Sequence, residues 1–100
     1  MKTLSGFLRR AEKDHRIGPL HVSLYVVLLD ICNGKSTQRA FAIKRNDIMS
    51  KAKIKSPGTY YKVMKGLSDW GYVVYFSQRD GGKTSKVAIV KFQRLDSTRQ

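Results

Sequence analysis

The run KSPGTYYKVMKGLSDWGYV, residues 55–73, leaves a folding chain few choices. Ser56 is a good helix N-cap, and Pro57 suits the first helical position, where its missing N–H costs nothing. At about 100° per residue, Tyr60, Val63, Met64, Leu67 and Trp70 fall on one side of the helix that follows. Gly58, Tyr61, Lys62 and Lys65 fall on the opposite side, with Thr59 at the margin. Gly71 then ends the helix in a left-handed conformation, and a β-rich run begins at once. The apolar side must build a core, which leaves the tyrosine-lysine side free.

The rest of the chain supplies that core. Leu4, Phe7, Leu8 and Ala11 recur at helical spacing and predict an amphipathic N-terminal helix. Gly18-Pro19 breaks it, and residues 20–32 are apolar almost all round, predicting a helix covered by more than one neighbour and stopped at Asn33-Gly34. Residues 35–38 read as a polar loop, and AFAIKR as a short strand through Phe41 and Ile43. Asn46 is expected to cap a helix with Asp47 in its first turn and Ile48, Met49 and Ala52 facing inward. After the opening stretch, YVVYFS and SKVAIVKF predict two strands joined by a turn at Asp80-Gly81-Gly82. The last residues, 94–100, read as a polar tail.

Charge then narrows the partner. The chain has 100 residues, enough for one domain, and its 20 Lys and Arg against 7 Asp and Glu give a net charge of +13. Such an excess favours a polyanion. A spanning helix is not expected, because the longest unbroken apolar run, Leu24–Leu29, is far short of the roughly 20 residues required. Arg9 and Arg10 interrupt any signal-peptide core, and the single cysteine forms no internal disulfide; both fit a cytoplasmic protein.

From Leu20 onward the order of elements resembles the winged helix-turn-helix family. The likeness rests on Asn46, Ile48, Met49 and Ala52 in the first helix of the motif, and on Ser56, Thr59, Tyr60, Met64, Leu67 and Trp70 in the second. "SLY" at 23–25, "TYYK" at 59–62 and "WGY" at 70–72 are similar to small winged-helix proteins of Bacteroidetes mobile elements and phages. The turn departs from the usual pattern: Lys53, Ile54 and "KSPG" replace a glycine, a hydrophobic residue and a cap, and add about one residue. The resemblance implies an α+β fold: a three-helix core plus a C-terminal β-hairpin wing, with an extra N-terminal helix. Residues 1–18 are then that helix and a linker, 19–93 the winged domain and 94–100 the tail. It also implies DNA binding, as a transcriptional regulator or a mobile-element accessory factor.

The residues support that implication independently. A free helix of this width fits the major groove, with the recognition helix at about 57–70. Lys62 and Lys65 would contact guanine acceptors or phosphates, Tyr61 a phosphate or a thymine methyl, and Thr59 a phosphate, while Gly58 and Gly66 permit close approach. Lys44, Arg45, Lys51, Lys53, Lys55 and the N-cap Ser56 surround that helix, with Asp47 the one acid among them before residue 66. The wing, about 72–92, carries Arg79, Lys83 and Lys86. These either reach the backbone or minor groove or merely blunt an exposed β edge.

No enzyme is expected. His21 and Cys32 lie about 16 Å apart along one helix, the carboxylates are scattered, and DGGKTS lacks the glycine spacing and following helix of a phosphate loop. No metal and no cofactor is anticipated. Double-stranded DNA is the expected partner, without membrane contact. Leu4, Phe7, Leu8 and the 20–32 helix either form a homodimer or pack within one chain. The alternatives are a basic RNA-binding or ribosome-associated domain, and a winged-helix protein-interaction module.

Overall fold

Helix α1 (Lys2–Lys13) turns its apolar stripe inward, but only Phe7 is fully buried. The Phe7 ring stacks on Tyr25 at 3.8 Å between centroids and meets Tyr72 edge-on at 5.2 Å. Burying such a side chain stabilises by about 1.5–3 kcal/mol. Phe7 therefore offers nothing to a second chain, contrary to the pairing role open to it in the sequence. Leu4 is partly buried and Leu8 is 45% exposed, so the stripe is narrower than its spacing predicts. The computed structural model describes residues 2–32, 40–76 and 84–90.

Helix α2 (Pro19–Cys32) is the centre of the molecule. Its Leu24, Tyr25, Leu28 and Cys32 are buried, while Leu20 and Val26 stay exposed. The start of α2 is closed by its own third residue, since the Gly18 N–H donates to His21 Nδ1 at 2.9 Å. Ser23 Oγ donates to the carbonyl of Ala52 at 2.8 Å, satisfying a helix-end acceptor on α3. That bond ties α2 to the turn in front of the next helix.

Strand β1 (Phe41–Lys44) runs without a loop into α3 (Arg45–Ala52). The extended Lys44 is therefore the N-cap, and no side chain caps this helix. Asn46, expected to do so, already lies inside the first turn. Ile48 and Ala52 are buried and Met49 partly so, as the pattern predicts. Lys53 closes α3 in the left-handed region at φ 63°. The N–H groups of Lys53 and Ile54 reach back to the carbonyls of Ser50 and Met49. This is a Schellman closure with lysine where glycine is the usual solution.

Helix α4 (Pro57–Asp69) opens on Ser56, whose Oγ accepts from the Thr59 N–H at 3.1 Å. It ends in a second Schellman pair, Gly71 N–H to Ser68 O and Tyr72 N–H to Leu67 O, with Gly71 at φ 84°. Strands β2 (Val73–Phe76) and β3 (Thr84–Ile89) complete an antiparallel sheet in the order β1-β3-β2. Lys44 stands opposite Thr84 and Phe76 opposite Lys86, while Val73 pairs with Ile89 at the far end. Val73, Val87 and Ile89 face the core, so by alternation Ala42, Lys44, Val74, Phe76, Lys86 and Ala88 share the outer face. The fold is α+β, with four helices and a three-stranded antiparallel sheet among the described residues. None of these helices is long and apolar enough to cross a membrane. The Asn33-Gly34 stop, the 35–38 loop, the Asp80-Gly81-Gly82 turn and the 94–100 tail lie outside the described residues.

Candidate nucleic-acid interface

The two sides of α4 separate as the spacing predicts. Tyr60, Val63, Met64 and Leu67 are buried, whereas Gly58, Tyr61, Lys62 and Lys65 are exposed. Trp70 is only half-buried, held between His21 and Arg16 rather than sunk in the core. Gly66 requires a correction. It is buried, and a Cβ there would lie 2.9 Å from Trp70 Cη2 and 3.2 Å from His21 Nε2. Its role is the close approach of α2 to α4, not the approach of a ligand.

The opening of α4 is organised by two hydroxyls. Ser56 Oγ donates to Thr59 Oγ1 at 3.0 Å while accepting the Thr59 N–H. The Thr59 hydroxyl keeps its own proton to donate, beside the Gly58 N–H, the one first-turn amide left over once Pro57 lacks an N–H and Ser56 accepts those of Thr59 and Tyr60. Lys55 is exposed immediately before the cap. Together they make a place where an anionic oxygen meets the positive end of the helix dipole.

Arg45 is brought to the free side of α4 across the sequence. Its Nη1 donates to the Tyr61 hydroxyl at 3.3 Å, a long bond between two exposed groups. Lys62 has no ion pair among the described residues, so its ammonium is available. Lys65 differs: its Nζ lies 2.9 Å from Asp69 Oδ2, one turn on. Lys51 is likewise near Asp47, at 3.6 Å. The free side of α4 thus ends in an acid that the sequence reading did not weigh.

The remaining sites divide. Lys44 and Lys86 are exposed on the outer face of the sheet, away from the face on which α4 packs. Arg79 and Lys83 lie outside the described residues. Phe76 was not anticipated; it is 50% exposed, opposite Lys86 on that same outer face. Period-2 alternation in VVYF carried the signal, because an inward Val73 and Tyr75 send Val74 and Phe76 outward. Among the described residues, no group of His, Cys, Asp and Glu is placed to hold a metal ion.

No protein-family model, no curated protein and no solved structure matches this chain.

Proposed function

We propose that this protein binds duplex DNA sequence-specifically, as a regulator or mobile-element accessory factor without catalysis of its own. The layout is read as a winged helix-turn-helix, with α3 and α4 as the helical pair and β2–β3 as the wing. The sheet order β1-β3-β2 and the strand leading directly into α3 support that reading. The observation that carries it is the free side of α4. Tyr61, Lys62 and Lys65 stand clear of the core, with Arg45 drawn up beside them, on a helix wide enough only for the major groove. Base edges would be read by Lys62, Lys65 and Tyr61. Phosphates would be held by Arg45, Lys55, Thr59 and the Gly58 N–H at the start of α4, with Lys44 and Lys86 on flanking backbone.

Selection of bound sites from a random duplex library tests this directly. An enriched motif of a few base pairs supports it, and recovery of no motif refutes sequence reading. Affinity must also fall steeply with salt, as phosphate contacts require.

A second reading has one observation in its favour. Phe76 beside Lys86 is an aromatic ring next to a cation on an open sheet face, the arrangement used to stack unpaired bases. Competition of duplex DNA against structured and single-stranded RNA separates the two, because an RNA binder prefers the latter and loses that preference in Phe76→Ala.

Pairing of two chains remains a proposal resting on Leu8, Leu20 and Val26, since Phe7 is committed within the chain. Light scattering at micromolar concentration decides it: a mass near 11.4 kDa means one chain and no palindromic site.

A further inference from the structure

The end of α1 builds a second cationic surface, turned away from α4's free side. Asp14 accepts the Arg16 Nε at 2.8 Å, the Arg16 Nη2 at 2.9 Å and the Arg16 backbone N–H at 3.1 Å. It also accepts the Tyr72 hydroxyl at 2.8 Å, across fifty-eight positions of chain. The Arg16 guanidinium lies 4.8 Å over the Trp70 ring, and that of Arg10 lies 5.9 Å over Tyr72. Lys13 and His15 complete an open cleft with Arg10, Asp14, Arg16 and Tyr72.

Asp14 acts here as a clamp rather than as a counter-charge to the whole cleft. Its side chain is 13% exposed and fully occupied by Arg16 and Tyr72, while that of Arg16 is 56% exposed. The guanidinium is therefore held in one orientation with its remaining N–H groups outward. Arg10, Lys13 and Arg16 leave the cleft cationic against this one acid.

Two features select the ligand. Arg10, Lys13, His15 and Arg16 are all exposed, so a small anion would stay hydrated and gain little. A polyanion gains at such a surface by releasing condensed counterions. The second feature is direction. Trp70, under Arg16, lies roughly 120° around α4 from the centre of its free side. Tyr72 belongs to the end of the sheet opposite Lys44, Phe76 and Thr84. A duplex seated on α4 and the wing end leaves the cleft facing elsewhere.

We propose that this cleft holds the phosphate backbone of a second duplex segment, so that one chain bridges two stretches of DNA. The inference rests on α4 being the reader of the first. The test uses the full chain, an immobilised duplex of about 21 base pairs, two helical turns, and a labelled free duplex of equal length. Wild-type protein is expected to capture the labelled duplex on the immobilised one. Arg10→Glu with Lys13→Glu should keep single-duplex affinity while reducing capture at least about tenfold. Lys13→Glu with His15→Glu, two lining residues whose replacement spares Arg10 over Tyr72 and the Asp14 bonds to Tyr72 and Arg16, should act in the same direction if the first pair perturbs folding. Capture unchanged in both variants overturns the proposal, since bridging through paired chains would survive them. Single-duplex binding without capture by the wild type overturns it too, and leaves the α4 reading standing. No binding of even one duplex removes both.

Discussion

Arg45, the first residue of α3, donates a guanidinium N–H to the Tyr61 hydroxyl on α4, 3.3 Å away. The two helices of the candidate reading unit are thus joined on their exposed side by a bond that water or a phosphate can replace at little cost. Both side chains are solvent-accessible, so its contribution to stability is small. Its effect on binding should be larger. Arg45→Ala is expected to lower the slope of log affinity against log salt by about 0.9, the loss of one phosphate contact. Tyr61→Phe should leave that slope unchanged and weaken the selected site alone, by about 0.5–1.5 kcal/mol. Anisotropy titrations over a salt series measure both. An unchanged slope in Arg45→Ala removes Arg45 from the interface.

The Lys65–Asp69 pair makes an opposite prediction. At 2.9 Å, with side chains 74% and 55% exposed, it adds little to stability but places a negative charge on the free side of α4. Asp69→Asn releases Lys65 and removes that charge. Duplex affinity should rise about three- to tenfold at low salt, with the gain shrinking as salt screens it. Weaker binding would mean that the second half of α4 does not face the duplex.

The sequence made the two-sided character of α4 legible because a 3.6-residue period needs only residue types. Its ends were legible for the same reason: Ser56-Pro57 and Gly71 are local solutions to local hydrogen-bonding problems. Asn46 misled because capping depends on where the preceding strand stops, and β1 runs directly into α3. Lys53 at φ 63° was equally hidden, since the surrounding packing, not its own preference, imposes the left-handed turn. Gly66 was misplaced because its angle around α4 lies between the two sides, and only the position of His21 and Trp70 decides which it joins. The Arg45–Tyr61 and Asp14–Tyr72 contacts join distant positions, and no local pattern encodes them.

Gly66 is also a stability test. A methyl at 2.9 Å from the Trp70 ring must push aside either that ring, which Arg16 covers, or His21, which closes α2. Gly66→Ala gains about 1 kcal/mol of helix propensity, but overpacking costs about 1–3 kcal/mol. Net destabilisation is expected in urea unfolding, together with a changed near-ultraviolet signal from Trp70. A stabilised variant would show that α2 and α4 approach less closely than described.

His21 makes the fold sensitive to mild acid. Its Nδ1 must be unprotonated to accept the Gly18 N–H, and burial against Trp70 and Gly66 depresses its pKa below the ordinary 6.5; the Asp14 charge opposes that shift without reversing it. Because the folded pKa is the lower one, the unfolded chain takes up the proton first as pH falls. The contribution is fully present above about pH 6.5 and is lost on descending through the depressed folded value. Asp14 adds a separate, more acidic window. Arg16 and Tyr72 hold its carboxyl well below the usual 3.8, so its contribution persists until the pH falls under that value. His21→Gln keeps an acceptor at the third helical position but does not titrate. Thermal melts from pH 7.5 to 5 should therefore show a falling midpoint in the wild type and a nearly level one in His21→Gln. Parallel slopes in the two proteins would place the acid sensitivity elsewhere in the chain.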